Sequence, residues 1–176
     1  MKELIGFMQK IEDKLNHCAA VLACVTFACM SVIVVVQVIS RSFLGHSFQW
    51  AEEMARYFFI WSTMLAATCA THAHVHIGVD VLVTYLKGNV QRTVRIVAQL
   101  FLIFAVLVLV RYGGEQTVAA WKSGQTATSF PVSAGLLYLS VPLNGVLMLF
   151  ICVTQLLELI CLGTSRDVEI ASGFWS

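Results

Sequence analysis

Four long apolar stretches, separated by short polar segments, dominate the chain. The first runs from about Cys18 to Ser40, which is 23 residues without a charged side chain, and Arg41 closes it. A helix of that length, at about 1.5 Å per residue, crosses a hydrocarbon core of about 30 Å. Because lipid cannot pair exposed backbone groups, each stretch is expected to be helical. The pattern predicts four transmembrane helices, with spans at about 18–40, 50–71, 94–112 and 132–158.

Two further segments complete the predicted layout. The apolar run from His72 to Leu86 is too short to span and is interrupted by Asp80, which favours a short interfacial amphipathic helix at about 76–87. A polar stretch from Tyr112 to Pro131 follows the third span. We therefore expect an all-α integral membrane protein, with a four-helix membrane domain over 1–162 and a short cytoplasmic tail over 163–176.

Composition supports a membrane protein. Hydrophobic residues make up 59% of the 176 residues and charged residues only 12%, whereas a soluble domain needs far more polar surface. The six cysteines lie in or beside apolar runs and form no CxxC pair, so we interpret them as small hydrophobic residues. Seven of the eleven Lys and Arg residues fall on the side of the two termini, which the positive-inside rule places in the cytoplasm.

The interiors of the predicted spans contain no Asp, Glu, Lys, Arg or His. A self-sufficient ion-coupled carrier places ionisable groups near the membrane midplane, and carriers often contain inverted repeats with broken helices, which this sequence lacks. The histidines lie outside the span centres, which argues against a haem-bearing anchor. The few polar residues of the spans are Gln37, Gln99, Asn144 and Thr154, with scattered Ser and Thr. We expect that this chain alone is neither a carrier nor an enzyme.

The charged start of the second span is the main candidate site. At helical spacing Glu52 and Glu53 both reach Arg56, and one stripe contains Trp50, Met54, Tyr57 and Trp61. Carboxylates at a helix N-terminus can simply be solvated, or this turn can contact a partner or lipid headgroups. Nothing nearby supplies a nucleophile or partner base, so no catalytic role is expected.

Three histidines, His72, His74 and His76, raise the question of a metal site. On a strand all three would share a face, whereas on a helix only His72 and His76 would do so. A polar hinge at the cytoplasmic interface is the favoured interpretation. We predict no metal site and no cofactor in this chain.

Four motifs resemble, in order, the small membrane subunit of tripartite ATP-independent periplasmic (TRAP) transporters. They are Arg41 at the end of the first span, Trp50-x-Glu-Glu-x-x-Arg-Tyr-x-x-x-Trp61, His76-Ile-Gly-Val-Asp80 and Tyr138-Leu-Ser-Val-Pro142. The resemblance implies a three-part complex in the bacterial inner membrane. A periplasmic binding protein captures an organic acid anion, of the sialic acid or C4-dicarboxylate type, and a large membrane subunit imports it with sodium.

In this family the small subunit is expected to be an accessory scaffold, with sodium bound on the large subunit. Its expected partners are the large subunit, the binding protein and membrane lipids, and no nucleic acid. The candidate partner or lipid contacts are Arg41, Trp50, Glu52, Glu53, Arg56, Tyr57, Trp61, His76 and Asp80. Two alternatives stay open, a membrane anchor of a respiratory or other multi-subunit complex, and a homodimeric exporter. The exporter would need a membrane-buried acid in the first span, which this sequence lacks.

Overall fold

Four α-helices form the part of the chain that the structure describes. The computed structural model describes residues 2–45, 48–73, 89–126, 129 and 132–161. The helices are α1 (Lys2–Leu44), α2 (Gln49–His72), α3 (Asn89–Lys122) and α4 (Ala134–Cys161). Within these residues the β structure is limited to one isolated antiparallel bridge, between Thr126 and Ser133. The all-α fold is confirmed, while the predicted interfacial helix at 76–87, with His76 and Asp80, and the tail at 163–176 lie outside the described residues.

Three of the helices are long and apolar enough to cross a membrane. The qualifying segments are Gly6–Phe43, Thr93–Lys122 and Ala134–Ile160. The 24 residues of α2 would reach about 36 Å, which is sufficient by length. Its composition is less apolar, because its first two turns contain Glu52, Glu53 and Arg56. A fourth transmembrane helix at α2, and the span limits within all four helices, stay predictions.

Two helices continue beyond the stretches that hydrophobicity alone marked out. α1 has 43 residues, about 64 Å, so the charged N-terminal segment continues the first helix. α3 runs to Lys122, so residues 112–122 of the polar stretch that follows the third predicted span are helical. The charged side chains of this part lie on its exposed face, where Arg111 and Glu115 form a 2.9 Å ion pair at i, i+4, while Thr117 and Ala120 are buried.

The helices pack as two hairpins joined through α2 and α4. α1 packs against α2 and α3 packs against α4, and the contact between α2 and α4 joins the two pairs. Glycines allow the close approach of α3 and α4. A Cβ atom on Gly113 would lie 2.7 Å from Val141 Cγ1, and one on Gly145 would lie 2.6 Å from Val110 Cγ2. Small residues at such crossings are typical of helices that associate within lipid.

The interior of the bundle is small and partly polar, and many large apolar side chains are exposed on its outer faces. Ser140, Asn144 and Thr154 are buried on α4, together with Ile151 and Cys152. Exposed apolar residues cover long faces of α1 and α3 and include Val25, Val32, Val36, Phe101, Phe104 and Leu107. In water such faces would promote aggregation, whereas in a bilayer they match the hydrocarbon. This arrangement agrees with an integral membrane protein.

Candidate functional site

The first turns of α2 carry most of the residues that the sequence singled out. Helix α2 begins at Gln49, and its N-cap residue, Phe48, makes no side-chain capping hydrogen bond. Carboxylates next to such an end are stabilised by the positive end of the helix dipole, as Glu52 is here. The rings of Phe48 and Trp50 contact each other, with centroids 6.1 Å apart, and both side chains are exposed.

The two adjacent glutamates have different surroundings. Glu52 Oε1 lies 3.9 Å from Arg56 Nη2, and both side chains are largely exposed, so this pair contributes little to stability. Glu53 is half-buried, and its Oε2 accepts a hydrogen bond of 3.0 Å from the backbone N–H of Ser129. Sequence spacing paired both carboxylates with Arg56, whereas the structure directs Glu53 to the connection between α3 and α4.

The remaining candidates lie on the same helix or at the end of α1. Tyr57 donates its hydroxyl hydrogen to the carbonyl of Ser133, at a long distance of 3.5 Å. Trp61 is half-buried one turn further along α2. Arg41 is exposed in the last turn of α1, where the helix dipole favours a cation. The structure therefore brings Glu53 and Tyr57 to the α3–α4 connection and leaves Arg41, Trp50, Glu52 and Arg56 on the surface.

Backbone hydrogen bonds join the described ends of the connection between α3 and α4. Gly124 ends α3 with a positive φ of 62°, a conformation that favours glycine. The N–H of Ala134 donates to Gln125 O at 2.8 Å, next to the Thr126–Ser133 bridge. Trp121 covers Gly135 so closely that a Cβ atom there would lie 2.6 Å from the indole ring. We call the contacts of Glu53 with Ser129 and of Tyr57 with Ser133 the clasp.

A polar layer that the sequence analysis missed lies at the opposite end of the bundle. Gln9 Nε2 donates to Glu158 Oε1 at 2.7 Å, which joins α1 to α4. His72 Nε2 lies 3.1 Å from Asp13 Oδ1 and 3.7 Å from Glu12 Oε1, which joins α2 to α1. Glu12 and Glu158 are only 2% and 5% exposed. Both carboxylates therefore lie between helices.

Amide side chains continue this layer into the bundle. Gln99 Nε2 of α3 donates to Cys152 O at 3.0 Å and to Gln155 Oε1 at 3.2 Å. Gln155 Nε2 donates in turn to Thr71 O at 3.0 Å, which joins α4 to α2. Within the sequence, the helical spacing of Gln155 and Glu158 at i, i+3 was the available signal that one face of α4 is polar. Their partners on other helices could not be identified from that spacing.

The side-chain contacts described above connect helices to one another, which is a structural role. Across the described residues, no three His, Cys, Asp or Glu side chains cluster so as to hold a metal ion, and His74 and His76 lie outside that part of the chain. Two of the surface grooves are lined entirely by described residues. One, between α1 and α2, is lined by Ala23, Phe27, Phe59 and Ala66 among others, and the second, between α3 and α4, by Val108, Tyr112, Tyr138 and Val141 among others. Neither contains a cationic side chain for an organic acid anion.

A sequence model of the DctQ component of tripartite ATP-independent periplasmic transporters matches residues 30–162. This match covers well over half of the chain. The chain belongs to the DctQ family. A protein of Haemophilus influenzae, provisionally named as a TRAP transporter small permease protein, is 24% identical over 153 residues, which are 87% of this chain and 94% of that relative. The resemblance seen in the sequence motifs is thereby confirmed.

Membership in the DctQ family assigns this chain to a TRAP transporter as its small membrane subunit. A transporter subunit does not belong to an enzyme class. The three apolar helices and the family together indicate a multi-pass protein of the membrane.

Proposed function

We propose that this DctQ subunit is a scaffold for the large membrane subunit of a sodium-coupled TRAP transporter. In this proposal a periplasmic binding protein delivers an organic acid anion, of the sialic acid or C4-dicarboxylate type, and the large subunit transports it with sodium. The DctQ subunit lies in the bacterial inner membrane with both termini in the cytoplasm. The Trp50 end of the bundle then faces the periplasm, and the polar layer faces the cytoplasm.

The distribution of ionisable side chains is the observation that carries this proposal. Between Lys14 and Arg41 the only Asp, Glu, Lys, Arg or His is His17, and between Arg95 and Arg111 there is none. Moving an anion or a proton through a bundle requires polar or ionisable groups along its path. In this chain the charged groups gather at the two ends. The interior amides of Gln99 and Gln155 are engaged in contacts between helices.

The exposed surfaces of the bundle support an accessory role for this subunit. The exposed apolar faces of α1 and α3 would contact lipid and the large subunit. At the Trp50 end we propose that Arg41, Trp50, Glu52, Arg56 and Trp61 contact headgroups or a partner, because aromatic and cationic side chains are favoured at the membrane interface. His76 and Asp80 stay proposed contacts of the same kind. Sodium and the substrate would bind on the large subunit.

Co-expression tests this function. A tagged DctQ subunit should retain the large subunit through purification in mild detergent, and deletion of the DctQ gene should abolish uptake of the transported anion. Reintroducing the chain should restore both properties. A large subunit that purifies without this chain and supports full uptake in its absence would contradict the scaffold role.

A further inference from the structure

Glu53 differs from its neighbour Glu52 in that its carboxylate contacts a distant part of the chain. Its Oε2 accepts a hydrogen bond of 3.0 Å from the backbone N–H of Ser129, a residue 76 positions away. A hydrogen bond to an ionised carboxylate is roughly twice as strong as one between neutral groups. Glu52, by contrast, is 70% exposed and faces Arg56 on its own helix. The carboxylate of Glu53 therefore connects two parts of the fold, whereas that of Glu52 lies on the surface.

A second contact lies one turn further along α2. The hydroxyl of Tyr57 donates to Ser133 O at 3.5 Å. A hydrogen bond of this length contributes little to the free energy of folding, but it helps to position Ser133 against α2. Ser133 also belongs to the bridge with Thr126, so the clasp holds the connection at its base and at Ser129. The α1–α2 and α3–α4 hairpins are thus joined at this end through side chains of α2, as the polar layer joins helices at the other end.

We infer that Glu53 is a positioning residue. Its hydrogen bond to Ser129 fixes this part of the α3–α4 connection against α2. The surface around Trp50, Arg56 and Trp121 therefore keeps a single conformation. All three of these side chains are exposed at this end of the bundle. The inference rests on the proposed function, because this surface matters for transport only if the subunit works beside the large subunit and the binding protein approaches this end.

The complete transporter, reconstituted in liposomes with its binding protein, provides the test. In the Glu53→Ala variant, the backbone amides of residues 123–126, 129, 132 and 133, the described part of residues 123–133, should exchange with deuterium about tenfold faster, as expected for the loss of one charge-assisted hydrogen bond. The concentration of loaded binding protein that gives half-maximal uptake should rise severalfold, while the maximal rate changes little. Glu53→Gln, which keeps an acceptor oxygen, should restore most of both properties.

Matched variants separate the clasp from general effects of charge. Glu52→Ala removes an adjacent carboxylate of equal charge and should leave exchange of the same backbone amides unchanged. Ser129→Pro removes the donor N–H from the other partner, whereas Ser129→Ala keeps it and serves as its control. If the bond acts as inferred, the effects of Glu53→Ala and Ser129→Pro should not add in the double variant. Should Glu53→Ala fail to assemble, Ser129→Pro provides the same test.

Three results would overturn the inference. Exchange of these backbone amides could be unchanged in both Glu53→Ala and Ser129→Pro, or their effects could add fully in the double variant. Alternatively, Glu53→Gln could be as impaired as Glu53→Ala, in which case negative charge and not the hydrogen bond is required. Full uptake without this chain would refute the proposed function instead, since the exchange measurement reports on the clasp alone.

Discussion

At the scale of single residues, the polar side chains of this bundle act between helices. Thr71 lies next to the C-terminal residue of α2, where the last backbone carbonyls depend on partners beyond the helix, and the backbone N–H at the C-cap contacts Cys69 O and Thr71 O. The amide of Gln155 donates to the Thr71 carbonyl and also accepts from Gln99, so one side chain of α4 contacts two other helices. Its side chain is buried, and an amide buried in a bundle is costly unless it is paired.

Gln155→Leu should therefore destabilise the DctQ subunit. The substitution keeps the approximate side-chain volume but leaves Thr71 O and the Gln99 amide with fewer hydrogen-bond partners. The free energy of unfolding should therefore fall by about 1 kcal/mol, which is within the range measured for hydrogen bonds between membrane helices. Unfolding by SDS in mixed micelles measures this change. Gln116→Leu is the control, because Gln116 is exposed on α3 and its loss should change stability by less than about 0.5 kcal/mol. Equal effects of the two variants would contradict the assigned role of Gln155.

At the scale of helices, the close contact of α3 and α4 depends on particular glycines. Gly113 and Gly114 are neighbours in α3, yet only Gly113 faces α4. A Cβ atom on Gly113 would lie 2.7 Å from Val141 Cγ1 and 3.4 Å from Pro142 Cδ, whereas one on Gly114 would meet nothing within 4 Å. Glycine inside a helix is unfavourable relative to alanine, so Gly113 is explained by packing and not by helix propensity.

Gly113→Ala and Gly114→Ala should consequently have opposite effects on stability. The first forces α3 and α4 apart and should lower the free energy of unfolding by about 1–3 kcal/mol. The second removes a flexible residue without a clash and should be neutral or raise stability by up to about 1 kcal/mol. The same SDS titration measures both variants. A stable Gly113→Ala variant would show that α3 and α4 do not approach as described.

Hydrophobic patterning predicted the existence of all four helices, because long apolar stretches leave few alternatives in lipid. It did not predict the full length of α1 or α3, because the added turns of both helices contain charged residues. It also paired Glu52 with Arg56, a local i, i+4 contact that the structure contains. The contact of Glu53 with Ser129 and the burial of Glu158 could not be predicted, since both depend on which residues of distant helices become neighbours.

At the scale of the whole molecule, two hairpins are fastened together at both ends. The polar layer of Gln9, Glu12, His72 and Glu158 joins α1 to α2 and α4 at one end, and the clasp joins α2 to the α3–α4 connection at the other. Between these ends, small residues and a few amides hold α2, α3 and α4 together, while the outer faces of α1 and α3 are apolar. We propose that these apolar faces are the surfaces that the large subunit contacts within the membrane.

The central claim is that this DctQ subunit supports transport without providing the transport path. Uptake of the anion into proteoliposomes, with loaded binding protein and a sodium gradient present, tests it directly. Three preparations are compared: the large subunit alone, this chain alone, and both together. The scaffold account predicts uptake only when both subunits are present. Uptake by this chain alone, or full uptake by the large subunit alone, would contradict it.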